Sequence, residues 1–316
     1  MSIMSNKIRL IFFLPNFTFG GAANSIFKLC KFLSNKNFSI LIISLGKNTY
    51  KRELIKNNCE VIEINYSRLL FAFFKLRKIV KKNTKLGFSK TILISNIHYA
   101  NIISSLIITG IKKIKLILVE RTSLHELKLY VNFFLFIKNR IIFFLIKYMY
   151  SKSDLIITNS KFENKFLRSI INKKKILTIH PPTIKKIEKI NINKKNKKKF
   201  NIIYVGRLSK EKGIDIIITA LSYIKKKYDF ELKIIGNGPL KKQYKRLVKE
   251  LKLDKNISFI GNVTRVKKFY KKADLFINAS SFEGLPNAIV EAINYGVTVI
   301  CSDCPGGNME VIQNGK

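Results

Sequence analysis

Residues 281–292 read Ser-Phe-Glu-Gly-Leu-Pro-Asn-Ala-Ile-Val-Glu-Ala and set two carboxylates, Glu283 and Glu291, eight positions apart, with a Gly-Leu-Pro turn after the first. An apolar run at 274–279 leads into the segment and a helical pattern starts near Asn287. Glu283 is therefore expected at the carboxyl end of a strand, and Glu291 in the first turns of the next helix. Open α/β sheets bind ligands outside the carboxyl ends of their strands. A helix start there offers free N–H groups and a positive dipole to an anion. Acids that accept from hydroxyls, beside a helix start that holds an anion, suit a polyhydroxylated anionic ligand such as a nucleotide sugar. Taken alone, each acid is equally explained as dipole stabilisation or as part of a solvated face.

Other residue types at expected strand ends change that balance. A strand at 201–205 is followed by Gly206-Arg207-Leu-Ser-Lys-Glu-Lys212-Gly213. Glycine lets backbone approach a ligand, and Arg207 with Lys212 has the charge to neutralise a diphosphate. A strand at 231–235 is followed by Gly236-Asn-Gly238-Pro239, a tight turn opening a helix. Near the amino terminus, strand 8–14 ends in Asn16-Phe-Thr-Phe-Gly20-Gly21-Ala22 before another helix. A glycine pair after a strand is also an ordinary turn, and neither loop matches G-x-G-x-x-G or the P-loop spacing. The argument lies in their joint occurrence at the strand ends the architecture requires.

The elements that must hold these residues alternate. Apolar runs at 8–14, 39–44, 61–64, 91–95, 116–119 and 155–158 predict strands, with amphipathic stretches such as 23–34 and 69–82 between them. That order implies parallel sheets built from right-handed crossovers. Residues 183–199, preceded by His180-Pro181-Pro182, are lysine-rich and turn-rich and predict a linker. It separates an amino-terminal Rossmann-like domain at 1–182 from a second at 200–316, in which strands at 257–260, 275–279 and 298–301 follow those already named. Two such halves would face one another across a cleft. The chain ends at Gln313-Asn-Gly-Lys316, where a domain of this kind would add a further strand and closing helices, so C-terminal truncation is expected.

Composition bounds the alternatives. The chain has 316 residues, 47% of them hydrophobic, enough for two cores. Sixty Lys and Arg against 19 Asp and Glu give a formal charge of +41, spread along the whole length. With lysine-dominated charge and no nucleic-acid reader motif, an anionic membrane surface is the expected partner and nucleic acid is not. Cys301-Ser-Asp-Cys304 is one C-x-x-C without a second pair, so no metal site is expected and the four cysteines read as reduced thiols. The first residues lack the apolar core and cleavage site of a signal peptide. No run reaches the ~18 apolar residues of a membrane span. Residues 131–150, apolar but broken by Lys138, Asn139, Arg140 and Lys147, read equally as a surface-lying membrane helix or a core helix.

Gly20-Gly21, Gly206-Arg207 with Lys212-Gly213, Gly236-Asn-Gly238, and Glu283-Gly-Leu-Pro with Glu291-Ala together resemble the retaining glycosyltransferases of family 4, two-domain enzymes of the GT-B fold. The resemblance covers nearly the whole chain and is strongest from Tyr204 to Glu310. It implies that Arg207 and Lys212 hold the donor diphosphate without a metal ion or cofactor, and that Glu283 contacts the donor sugar, with backbone near Leu285, Pro286 and Asn287 assisting. Glu291 would accept from the ribose hydroxyls. Gly20 and Gly21 would admit the diphosphate, Gly206 would let the backbone approach it, and Gly236 and Gly238 would lie near the nucleobase. The base is not readable in these residues; UDP is the working expectation. The acceptor, a lipid-linked or polysaccharide glycan and in one form polyprenyl-diphosphate-linked, would meet Asn96, His98, Glu120 and Arg121. Many relatives carry a His where Glu120 or Arg121 falls, so the chain departs from the pattern there. The implied location is the cytoplasmic side of the membrane, peripherally bound.

Two other readings stay open at this level. A polyanion-binding or membrane-surface protein would bind anions tightly and salt-sensitively, with no response to nucleotides. An inactive relative would bind nucleotide without transferring sugar.

Overall fold

The computed structural model describes residues 7–18, 20–128, 133–172, 175–184, 186–188, 199–263 and 265–312. The expected linker therefore falls largely outside the described residues, at 185 and 189–198, as does the chain end at 313–316. The chain divides into two compact units, Met1–Pro182 and Thr183–Lys316.

In the first unit β1 (Ile8–Phe13), α1 (Gly21–Leu33), β2 (Phe38–Ser44), α2 (Lys51–Lys56), β3 (Glu60–Glu63), α3 (Phe73–Asn83) and β4 (Lys90–Asn96) are followed by α4 (His98–Ile107) and β5 (Ile114–Glu120). A 3₁₀ turn at Leu124–Lys128 precedes α5 (Phe133–Met149), β6 (Leu155–Thr158), α6 (Lys161–Ile170) and β7 (Ile176–Thr178). The strands form one parallel sheet in the order β3-β2-β1-β4-β5-β6-β7. A parallel sheet is buried on both faces, which is why its strands read as unbroken apolar runs. Alternate residues of β1 and β2 serve opposite cores: Ile11, Phe13, Leu41 and Ile43 pack with α3 to α6, and Leu10, Phe12, Ile40 and Ile42 with α1 and α2.

The second unit repeats the scheme with β8 (Phe200–Val205), α7 (Ile214–Ile224), β9 (Phe230–Ile235), α8 (Lys241–Glu250), β10 (Ile257–Gly261), α9 (Lys267–Tyr270), β11 (Leu275–Asn278), α10 (Asn287–Asn294), β12 (Thr298–Cys301) and α11 (Asn308–Val311). Its parallel order is β10-β9-β8-β11-β12. Helices α7 and α8 cover one face, α9 and α10 the other.

Each sheet reverses its strand order once, between β1 and β4 and between β8 and β11. The loops leaving two such strands diverge to opposite faces and leave a crevice at their carboxyl ends, the place where open α/β sheets take ligands. Both units are thus doubly wound and Rossmann-like. No helix among the described residues is long and apolar enough to cross a membrane.

Candidate active site

At the β8/β11 crevice the loops after the two strands meet. Lys212 comes from the loop after β8 and Glu283 from the loop after β11, and the Lys212 ammonium lies 2.6 Å from Glu283 Oε1. The same oxygen accepts from the Ser280 hydroxyl at 2.7 Å and from Asn278 Nδ2 at 3.4 Å. Three donors converge on one carboxylate oxygen, while Oε2 has no hydrogen-bond partner among the described residues. Ser280 is itself held: Asn278 Oδ1 accepts from its N–H, and its carbonyl accepts from the Ser302 hydroxyl at 2.6 Å. Ser302 is anchored in turn by Asn308 Nδ2, which donates to its carbonyl.

Backbone packing fixes the loops. Gly236 has φ +134, and a Cβ there would overlap the Gly206 carbonyl oxygen, so the turns after β8 and β9 lie against each other only because Gly236 carries no side chain. Gly306 has φ +135 and sits beneath Glu283, where a Cβ would overlap the Glu283 carbonyl. Glu283 N–H donates to the Pro305 carbonyl at 3.0 Å. Gly238 packs on Leu208, whose N–H donates to the Asn237 carbonyl. Tyr204, buried under the crevice, donates to the Arg207 carbonyl at 3.0 Å. Burial first, and then the Glu283 and Glu211 carboxylates, push its phenol well above the ordinary range. The Arg207 side chain is exposed and has no partner among the described residues, so its guanidinium is available to an anion.

Beyond the turn, Leu285 is half-buried and Pro286 buried, and Asn287 opens α10 with its Oδ1 accepting from the Thr183 hydroxyl at 2.6 Å. Glu291 lies one turn further along α10 beside Tyr270. Burial and the Glu291 carboxylate together hold the Tyr270 phenol well above its usual value. Glu283 and Glu291 thus serve different surroundings, the first locked into the crevice and the second set against an aromatic side chain.

The residues expected at the acceptor end gather at the carboxyl ends of β4 and β5. Asn96 bridges the strand-order reversal, its Nδ2 donating to the Phe13 carbonyl at 3.2 Å and its Oδ1 accepting from Arg121 Nε at 2.7 Å. Burial lowers Arg121 to about 10, against the pull of Glu120. Glu120 is fully buried and accepts from the Tyr150 hydroxyl at 2.6 Å and, more weakly, from Asn101 Nδ2 at 3.4 Å. Burial dominates and pushes its carboxyl up to about 8.

His98 opens α4 behind Ile97, a β-branched residue held at φ 77, a conformation that costs about 1–3 kcal/mol. Its ring is 1% exposed, with Nε2 3.3 Å from Glu126 Oε1 and Nδ1 3.9 Å from Glu120 Oε1, yet neither nitrogen makes a hydrogen bond among the described residues. Burial, then the Lys138 charge, lowers its pKa to about 4, so it is neutral at physiological pH. Glu163, capping the turn at Leu124, is raised by burial to about 7. In this structure Asn96, His98 and Glu120 are buried, while Arg121 is half-buried. Gly20 flanks the start of α1, where a Cβ would meet nothing within 4 Å, and Gly21 is exposed.

Sequence reasoning missed Ser280, Asn278 and Tyr150. The Asn-x-Ser at the end of β11, three residues before the acid, is the signal that marks the first two, since such side chains bond to nearby loop groups. Nothing local announces Tyr150, 30 residues from its partner.

A family model described as glycosyl transferases group 1 matches residues 185–316, and one described as glycosyltransferase family 4 matches residues 19–183. The chain belongs to glycosyltransferase family 4. An uncharacterized glycosyltransferase of Methanocaldococcus jannaschii is 30% identical to this family 4 chain over 348 residues, covering 97% of this chain and 84% of the relative. An N-acetylgalactosamine-N,N'-diacetylbacillosaminyl-diphospho-undecaprenol 4-alpha-N-acetylgalactosaminyltransferase of Campylobacter jejuni is 34% identical over 181 residues, covering 55% of this chain and 48% of that protein. The match spans about half the length of several curated relatives, 46%, 48% and 51% in three of them. Among solved structures, Anabaena HepE in complex with UDP and glucose superposes with a TM-score of 0.75 at 17% identity, covering 97% of this chain and 83% of that one. At that identity the likeness speaks for the GT-B fold of this family 4 member.

Proposed function

We propose that the chain is a retaining glycosyltransferase that moves a hexosyl or N-acetylhexosaminyl group from a UDP-sugar to a lipid-linked or polysaccharide glycan, working at a membrane surface on the cytoplasmic side. The observation that carries the reading is the Lys212–Glu283 pair at the strand-order reversal of the second sheet. Lys212 brings a cation to the leaving diphosphate, the free Arg207 guanidinium a second, and Glu283 Oε2 an acceptor for a sugar hydroxyl. Fixed charges in a partly dry site stabilise the departing diphosphate without solvent reorganisation, and two of them do so without a metal ion. Retention has the leaving group and the attacking hydroxyl share one face of the sugar. The UDP complex of HepE supports the donor class, and the undecaprenol diphosphate in the Campylobacter relative's name supports the acceptor class.

A thermal-shift panel with UDP, GDP and ADP tests the donor site. Ligand at ~100 times its Kd adds about 2.7 kcal/mol to the folded state. UDP alone is expected to raise the melting temperature, and silence toward all three would overturn the reading. Product from an α-linked donor should keep the α configuration; a β product removes the retention claim.

A further inference from the structure

α5 is apolar on two opposite sides. Its inner side places Ile142 and Ile146 in the core. Successive residues turn by about 100°, so Phe134, Ile137, Ile141, Phe144 and Tyr148 share the outer side, and all five are exposed, from 41% to 83%. The same rotation sets Lys138 on one flank of this stripe and Arg140 and Lys147 on the other. An ordinary sheet-covering helix turns polar residues outward; this one turns outward a second apolar stripe edged with cations.

A second patch lies on the same side of the sheet. At the start of α3, Leu70, Phe71 and Phe74 are 63% to 80% exposed, beside Lys75 and Lys78. Helices α3, α4 and α5 contribute to one core and so form one layer on the sheet. In right-handed crossovers between parallel strands their starts lie at the carboxyl ends of the strands. α4 packs against both α3 and α5, and its Tyr99 is 40% exposed and under the Lys138 ammonium, 5.5 Å from its ring centre. No acidic residue occurs between Glu63 and Glu120 or between Glu126 and Asp154, the intervals that hold α3 and α5.

We propose that the outer faces of α3 and α5 form a docking surface for an anionic lipid bilayer. α5 lies in the plane of the interface, its aromatic stripe among the acyl chains and its flanking cations at the lipid phosphates. The starts of α3 and α5 then turn the carboxyl ends of β4 and β5 toward the bilayer, where a lipid-borne acceptor is held; this last step rests on the acceptor class proposed above, the docking itself does not. Charge favours lipid over a second copy of the chain. A two-fold pairing through this face brings Lys138, Arg140 and Lys147 against their own equivalents with no acid between them.

The chain contains no Trp, so Phe134→Trp in the full chain supplies a single reporter. With vesicles of phosphatidylglycerol and phosphatidylethanolamine its emission is expected to shift to the blue, and with phosphatidylcholine vesicles to stay in place. In parallel, the triple variant Ile137→Gln, Ile141→Gln, Phe144→Gln is expected to partition into the anionic vesicles about tenfold less than wild type, measured near 0.5 M salt, where long-range charge attraction is screened. Its thermal response to UDP should equal that of wild type, which shows that the chain still folds. An unshifted Trp spectrum, wild-type partitioning of the triple variant, or a dimer in sedimentation that the variant abolishes would each overturn the docking surface. Lipid insertion without any nucleotide response leaves the docking surface standing and removes the donor-site reading.

Discussion

Glu283 presents two unequal oxygens, one accepting from Lys212, Ser280 and Asn278 and one without a partner among the described residues. That asymmetry orders the expected losses. Lys212→Ala and Glu283→Gln should each cut turnover by about 10² to 10³, the scale seen when one charge-stabilising group leaves an active site. Ser280→Ala removes one of three hydrogen bonds and should cost about tenfold in kcat while leaving KM nearly unchanged, because the carboxylate loosens without losing its charge. Steady-state kinetics with a UDP-sugar would separate these; near-normal turnover in Glu283→Gln would sink the assignment. The buried acids carry a different signature. Glu120 is raised to about 8 and Glu163 to about 7, so the folded chain binds protons that the unfolded chain releases, and stability falls as pH rises from about 4.5. His98, lowered to about 4, acts oppositely, its contribution being lost as pH falls from 6.5 toward 4. Above pH 7 Glu120 carries most of the remaining titration among the three, and from pH 7 to 8 it should remove about 1 kcal/mol, so Glu120→Gln should flatten most of the slope in urea unfolding at the two pH values. The sequence marks Lys212 and Glu283 as strand-end charges, but their separation of 71 positions hides that they form an ion pair. Tyr150 stays hidden because its meaning depends on which chain segments return to the site.

Strands announce themselves where both faces of the sheet are buried, and the apolar runs at 8–14 and 155–158 become β1 and β6 with at most one residue of difference. β7, only Ile176–Thr178, is missed because three residues at a sheet edge carry no period to read. α5 is ambiguous in sequence for a physical reason the fold supplies: its inner and outer sides are both apolar, so no single polar face reports which side meets the core. The turn after β9 reads as Gly-Asn-Gly, yet the pattern does not reveal that Gly236 must hold a positive φ against the Gly206 carbonyl. Gly236→Ala should therefore push apart the turns after β8 and β9. A loss of about 1–3 kcal/mol of stability is expected from the strained backbone alone, together with weakened UDP binding, measured by thermal unfolding and calorimetry. Gly87→Ala is the control, since it also has positive φ but stands in open space in the first unit; equal loss of UDP affinity in both variants would show that the Gly206 contact is irrelevant to the site.

Taken as a whole, the molecule uses one architectural device twice: a parallel sheet whose strand order reverses once, with chemistry-bearing loops at the reversal. Alternating strands and helices predict parallel sheets, but the reversal lies beyond sequence patterning, because nothing local says that β8 will neighbour β11 across two intervening strands. The charge of +41 is the opposite case, conspicuous in composition and uninformative until burial shows which apolar residues the cations surround. If the second unit's reversal is the donor site, a nucleotide should quiet that crevice selectively. UDP at ~100 times its Kd adds about 2.7 kcal/mol to any opening that must release it, which slows amide exchange there by about a hundredfold. Hydrogen exchange should therefore fall at residues 206–213, 236–240 and 280–287, the loops that carry Arg207, Lys212, Glu283 and the start of α10. The amides of β3 and β7, the outer strands of the first sheet, should exchange at an unchanged rate. Protection that misses the loops after β8 and β11, with UDP demonstrably bound, would place the nucleotide elsewhere and leave the Lys212–Glu283 pair as a structural tie between two loops.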